Sequence, residues 1–127
     1  MVSLAGVDEP RQREKDALQG KRVLIVEDNG LLYYALEQTL REIGCEIEAM
    51  EQATVQEFDV ALLDINLRGQ LVCPLADQLR ERGVPFLLTS AYQAADLLRA
   101  LEHDMQIRKP FTDADLLTNL ASLLRRH

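Results

Sequence analysis

Apolar residues follow two alternating patterns from about the twentieth position of this chain to its end. Short, nearly uninterrupted apolar runs are typical of strands buried on both faces of a parallel sheet. Longer stretches with apolar residues three and four positions apart are typical of amphipathic helices. The short runs predict five strands, at 22–26, 45–50, 59–64, 85–89 and 105–108. This alternation predicts an α/β fold, a three-layer doubly wound sandwich with helices on both faces of a parallel sheet.

The longer stretches predict the helices that connect these strands. The first carries apolar residues from Leu32 to Ile43 at helical spacing, with Asn29 or Asp28 as its N-cap and Gly44 at its end. Further helices are expected at about 74–82, at about 93–102 and after Thr112, where Thr112 and Asp115 resemble a capping box. Residues 51–58 leave room for two helical turns at most, so the second helix of the repeat is expected to be shortened or absent.

The first 20 residues lack sustained periodicity. They are polar, Pro10 interrupts them and their charges nearly balance. We therefore predict a flexible N-terminal tail over residues 1–20, with room for a helical turn near Asp16 to Leu18, and one folded domain over residues 21–127.

Composition narrows the range of functions. The 127 residues fit one domain, and a net charge of -7 argues against nonspecific binding to nucleic acid or to anionic membranes. No apolar run approaches the length of about 18 residues that a membrane span needs, and the charged N-terminal segment does not resemble a signal peptide. Cys45 and Cys73 form no CxxC pair, so reduced structural thiols in a cytoplasmic protein are expected.

Polar residues follow four of the predicted strands. Because the carboxyl ends of parallel strands share one edge of the sheet, three carboxylates, a hydroxyl and an ammonium should meet there. A lone Asp at a strand end is more often only solvated, and the inference depends on the whole group. Its members are Glu27 and Asp28 after the first strand, Asp64 after the third, Ser90 with Thr89 after the fourth, and Lys109 after the fifth.

This group of side chains has a chemical consequence. Three carboxylates repel one another unless a cation neutralises them, and oxygen ligands favour Mg²⁺. An ammonium and a hydroxyl nearby would hold phosphoryl oxygens. A carboxylate can also act as a nucleophile toward phosphorus and form an acyl phosphate.

Four segments carry a family resemblance, in the family's order: IVEDN (25–29), LLDINL (62–67), LLTSAY (87–92) and RKPF (108–111). From Lys21 to His127 the chain resembles the receiver domain of bacterial two-component response regulators. The resemblance implies a flavodoxin-like sheet of strand order 2-1-3-4-5. It also implies that Asp64 accepts a phosphoryl group.

The resemblance assigns the remaining site residues. Mg²⁺ would be bound by Asp28, Asp64 and the carbonyl of Asn66, and by Glu27 through water. The hydroxyl that moves onto the phosphoryl group would be that of Ser90, with Thr89 as the alternative. The amide of Ala91 and the ammonium of Lys109 would bind phosphoryl oxygens, and the Lys109–Pro110 peptide bond would be cis.

Two departures from the family pattern stand out. Only 36 positions separate Asp28 from Asp64, and the shortening falls on the second helix. Gln106 stands three positions before Lys109, where the family usually carries an aromatic residue, so aromatic-rotamer switching is in doubt.

The resemblance implies a single-domain response regulator, since no second domain follows the last helix. Its phosphodonor would be a histidine kinase or a histidine phosphotransfer protein. The phosphorylated domain would bind a downstream protein target, form a weak homodimer, or act only as a phosphate sink. Direct DNA binding is not expected. Two alternatives remain: a pseudo-receiver binding module that is not phosphorylated, and a Mg²⁺-dependent phosphohydrolase with an aspartyl intermediate.

Overall fold

The computed structural model describes residues 12–49, 58–65, 72–90 and 106–126, and all statements on structure concern these ranges. They contain five strands and four helices. In chain order these are α1 (Gln12–Leu18), β1 (Arg22–Val26), α2 (Gly30–Glu42), β2 (Glu46–Ala49), β3 (Val60–Asp64), α3 (Val72–Arg82), β4 (Phe86–Ser90), β5 (Gln106–Arg108) and α4 (Asp113–Arg126).

The strands form one parallel sheet of order β2-β1-β3-β4-β5. This confirms the predicted flavodoxin-like topology. Register aligns the strand ends: Val26 pairs with Leu63, and Asp64 pairs with Thr89. Since every pairing is parallel, the carboxyl ends of the strands lie at one edge, as the sequence predicted.

The sheet divides the core into two layers. Successive side chains of a strand point to opposite faces, so Val23 and Ile25 of β1 belong to one apolar cluster while Leu24 and Val26 belong to the other. The first cluster includes Leu36 and Leu40 of α2 and Leu116, Leu117, Leu120 and Leu123 of α4. The second includes Ala76 and Leu79 of α3. Helices thus cover both faces, which confirms the three-layer arrangement.

Local sequence accounts for the ends of α2. The side chain of Asn29 accepts a hydrogen bond from the Leu32 N–H at 3.1 Å, as expected of an N-cap. Gly44 follows the helix with a φ of +97°, and a Cβ there would lie 2.9 Å from Cγ of Gln19. The left-handed backbone therefore favours glycine at this position, and a Cβ there would also force the Gln19 side chain to shift.

The N-terminal helix α1 corrects one expectation. Residues 12–18 are helical and Leu18 is completely buried in the first core cluster. The prediction of a flexible tail through residue 20 is therefore wrong for residues 12–20, although the helical turn expected near Asp16 to Leu18 is present as the end of α1. Residues 1–11 lie outside the described ranges. A helix whose inward side chains are one leucine and one glutamate has no apolar period to detect, because Glu14 takes the second inward position.

Smaller differences lie at other element ends. Helix α3 begins at Val72, two residues before Pro74, and α4 carries the expected hydrogen bond from the Asp115 N–H to Oγ1 of Thr112 at 3.0 Å. The helix expected at about 93–102 and the segment 51–57 lie outside the described residues. Among the described helices, none is long and apolar enough to cross a membrane.

Candidate functional site

Three carboxylates meet at the carboxyl edge of the sheet. Glu27 and Asp28 directly follow β1, and Asp64 is the last residue of the neighbouring β3. One carboxylate oxygen from each residue lies within 4.8 Å of the others. The side chains of Glu27 and Asp64 are each 2% exposed, while Asp28 is exposed. An ion could therefore approach this group from the side of Asp28.

Lys109 bridges the two buried carboxylates. Its Nζ lies 3.0 Å from Oε1 of Glu27 and 3.2 Å from Oδ2 of Asp64. The Lys109 backbone N–H donates to the carbonyl of Ser90 at 2.8 Å, which places the side chain beside the end of β4. The Lys109–Pro110 peptide bond is cis, as the resemblance implied.

The end of β4 brings two hydroxyl-bearing residues to the same edge. Thr89 pairs with Asp64 in the sheet, and its carbonyl accepts a hydrogen bond from the Ile65 N–H at 2.9 Å. Thr89 and Ser90 are both buried. Ser90 is the final residue of β4, and its carbonyl bonds the backbone of Lys109. A shift in the position of Lys109 would therefore be transmitted to Ser90.

The electrostatics of the site follow from burial and charge. Burial raises the pKa of Glu27, contact with the Asp64 carboxylate raises it further, and Lys109 and the Asn29 N–H act in the opposite direction. Burial alone would lower the pKa of Lys109, but its pairs with Glu27 and Asp64 outweigh that effect and raise it. One ammonium does not balance three carboxylates, so the site has room for a further cation.

The structure brings together most of the residues that the sequence singled out. Four form the contacts described above, and Thr89 and Ser90 lie at the adjoining strand end. Asn66 and Ala91 lie outside the described residues, so their expected roles remain predictions. The four are Glu27, Asp64 and Lys109, which form the ion pairs, and Asp28, whose carboxylate lies within 4.8 Å of the other two.

Asn29 has a role that the sequence interpretation missed. Besides capping α2, its backbone N–H donates to Oε2 of Glu27 at 3.1 Å. The Asn29 N–H thus bonds one oxygen of the Glu27 carboxylate, and the Lys109 ammonium bonds the other. The position of Asn29 directly after the acidic pair was the available signal.

The first turns of α2 expose an apolar pair that was also missed. Leu31 is 85% exposed and Tyr34 is 61% exposed. They lie three positions apart, so they share one face of the helix. Their spacing in the sequence shows that α2 has apolar residues on more than its buried face. This pair begins two residues after Asn29, close to the acidic group.

No model of a known protein family matches the chain. Curated relatives include the virulence transcriptional regulatory protein PhoP of Salmonella typhimurium, 29% identical over 118 residues that span 84% of this chain and 53% of the relative. The transcriptional regulatory protein TctD of the same species is 32% identical over 117 residues, spanning 83% of this chain and 52% of the relative. The chain thus spans about half the length of the curated relatives it matches.

Solved structures show the same fold. The receiver domain of the TMAO respiratory system response regulator TorR has a TM-score of 0.70 and 27% identity, covering 84% of this chain and 98% of that one. A response regulator receiver protein from Burkholderia phymatum has a TM-score of 0.70 and 20% identity, covering 83% of this chain and 95% of that one.

Proposed function

We propose that this chain, a receiver domain of the response-regulator family, accepts a phosphoryl group on Asp64 in a Mg²⁺-dependent reaction. The observation that carries the proposal is the arrangement of three carboxylates around one lysine at the carboxyl edge of the sheet. The phosphodonor is a histidine kinase or a histidine phosphotransfer protein.

The carboxylate group suits Mg²⁺. Three oxygens within 4.8 Å of one another offer hard, anionic ligands, and the exposure of Asp28 leaves space for retained waters. Asp28 and Asp64 would bind the ion directly and Glu27 through water, with the Asn66 carbonyl as a further ligand by family resemblance. When bound, the ion supplies charge neutralisation and a contact for a phosphoryl oxygen.

Asp64 is the nucleophile in this proposal. A carboxylate oxygen attacks phosphorus, the new O–P bond forms as the P–N bond to the donor histidine breaks, and the released imidazole takes up a proton. Lys109 holds Oδ2 of Asp64 at 3.2 Å before the reaction and would transfer its contact to a phosphoryl oxygen. The Lys109 backbone does not need to move for this, because its side chain already lies between the two carboxylates.

The response to phosphorylation passes through Ser90. Its hydroxyl would donate to a phosphoryl oxygen. Its carbonyl accepts a hydrogen bond from the Lys109 N–H at 2.8 Å, so the two residues that would bind the phosphoryl group are joined through their backbones. Phosphorylation would then shift a two-state equilibrium at β5 and α4. The output is a protein partner, a weak homodimer or a phosphate sink.

The test uses a small-molecule donor and the full chain. With Mg²⁺ and acetyl phosphate, the wild-type protein should gain one acid-labile phosphoryl group, measured by intact mass, and EDTA should prevent this. Asp64→Ala should gain none, whereas Asp77→Ala, at an exposed position of α3, should react as wild type does.

Two results would contradict the proposal. Full labelling of Asp64→Ala would place the phosphoryl group elsewhere. A wild-type protein that neither gains phosphate nor shows resonance shifts with beryllofluoride would instead be a binding module that is not phosphorylated.

A further inference from the structure

The N-terminal helix α1 lies outside the part of the chain that carries the response-regulator motifs, yet it is packed onto the domain. It contacts α4, and its Leu18 is completely buried among the residues of the first core cluster. A free seven-residue helix is not stable in water. The helical state of residues 12–18 therefore depends on docking.

The end of α1 nearest β1 is well fastened. The carbonyl of Leu18 accepts from the Lys21 N–H at 3.0 Å and from the thiol of Cys45 at 3.3 Å. One residue further on, the Gly20 N–H donates to the carbonyl of Gly44 at 2.8 Å, with Gly20 at a φ of +79°. The bond between Gly20 and Gly44 lies beyond the end of the helix, so residues 19–20 are the natural hinge and Leu18 belongs to the part that moves.

One turn earlier, α1 carries a feature that works against docking. Glu14 is only 3% exposed, and its Oε2 has no hydrogen-bond partner among the described residues. A buried carboxylate oxygen without a donor costs free energy that an apolar side chain would not. Glu14 and Leu18 are four positions apart and are the two buried residues of α1, so one of its two inward positions opposes burial.

Packing between α1 and α2 is also incomplete. A groove of about 420 Å³ that is open to solvent lies between α1, α2 and α4, and most of the side chains that line it are polar. Its walls include Lys15 of α1 and Gln19 just after it, Thr39 and Ile43 near the end of α2, and Leu117 of α4. The groove separates α1 from α2 on this side, whereas α1 packs directly against α4.

We propose that α1 is a displaceable cover of the groove between α2 and α4, which swings out as a unit, with Leu18, about residues 19–20 while the sheet stays folded. Glu14 sets how often this occurs, because its burial is costly only in the docked state. In the open state the carbonyl of Leu18 leaves the thiol of Cys45, which is itself buried in the docked state. Ile43 and Leu117, which line the groove, become more accessible at the same time.

Cys45 provides a reporter of this motion on the body of the domain. The experiment measures the rate at which an excess of dithiobis-nitrobenzoate labels Cys45 in the full chain, in a Cys73→Ser background and over a series of urea concentrations. Opening of α1 alone exposes little surface, so the labelling rate should rise with urea much less steeply than global unfolding does.

The variants test the role of Glu14. Glu14→Leu and Glu14→Met should each slow labelling by roughly tenfold to a hundredfold, the range expected when an unpaired buried polar atom is removed. Glu81→Leu, which makes the same charge change at an exposed position of α3 on the opposite face of the sheet, should stay within about threefold of the parent. The proposal is overturned if labelling shows the urea dependence of global unfolding, or if neither Glu14 variant is slower than Glu81→Leu.

Discussion

The ammonium of Lys109 lies 3.2 Å from Oδ2 of Asp64, on a carboxylate that is 2% exposed. The same ammonium lies 3.0 Å from Oε1 of Glu27. Before any phosphoryl group arrives, Lys109 therefore supplies part of the positive charge that the three carboxylates need. A bound metal ion would therefore be repelled by the lysine. Removing the lysine charge should strengthen metal binding but impair phosphorylation.

Lys109→Met should bind Mg²⁺ more tightly than the wild-type protein does. Removing a cation beside the carboxylates removes a repulsion, and we expect a gain of roughly tenfold in affinity. Phosphorylation by acetyl phosphate should be lost in the same variant. Calorimetric titration with Mg²⁺ and intact-mass analysis check the two effects, and weaker metal binding in Lys109→Met would show that the lysine organises the ligands rather than competing with the ion.

Asp64→Asn should stabilise the metal-free protein. The substitution removes one of three crowded carboxylates while Glu27 keeps its pair with Lys109, so the free energy of unfolding should rise by about 1 kcal/mol at low salt. Urea unfolding at neutral pH measures the change. Asp77→Asn removes a carboxylate from an exposed position and should change stability by less than about 0.5 kcal/mol. A loss of stability in Asp64→Asn would mean that its bond to Lys109 outweighs the repulsion.

The stability of the metal-free protein should depend on pH through Glu27. Its pKa in the folded chain is raised above the ordinary value of 4.5, by burial first and by Asp64 second. The folded state then binds more protons than the unfolded state above pH 4.5, so the contribution of Glu27 to the free energy of unfolding falls as pH rises through the raised pKa. Glu27→Gln should lack this fall. Urea unfolding of both proteins across the acidic range gives the difference, and parallel curves would contradict the expectation.

Leu31 and Tyr34 should contribute to docking of the protein phosphodonor. They form an exposed apolar pair on α2, which begins directly after the acidic group. Leu31→Ala with Tyr34→Ala should slow phosphoryl transfer from a phosphorylated donor protein by tenfold or more, on the scale of about 1.4 kcal/mol for each factor of ten. The rate with acetyl phosphate should not change, because that donor is too small to need the surface. Equal losses with both donors would indicate damage to the site itself.

The sequence predicted the sheet and the convergence of the strand ends because both follow from simple physical rules. Apolar runs such as 60–63 are typical of strands buried on both faces, as in a parallel sheet, and parallel pairing then brings Asp64 and Lys109 to one edge. The sequence did not predict that Lys109 pairs with both buried carboxylates, or that the Asn29 N–H bonds Glu27. Those contacts depend on side-chain directions that residue spacing does not determine.

Helix α1 was missed for a different reason. Pattern recognition depends on apolar residues at inward positions, and α1 has only Leu18 there. The fold accepts a glutamate at the other inward position because the neighbouring hydrogen bonds and Leu18 supply the docking free energy. The motif region beginning at Lys21 marks where the family resemblance starts, and it does not mark where the packed structure starts.

Burial of Leu18 has a practical consequence for any shortened or fused version of the protein. A fragment that starts at Lys21 would contain all the motif residues but would lose the Leu18 side chain from the first core cluster. Emptying a fully buried leucine site costs about 2–5 kcal/mol, a large part of the stability of an ordinary domain. Tags, fusion partners and cleavage sites should therefore be joined ahead of Gln12.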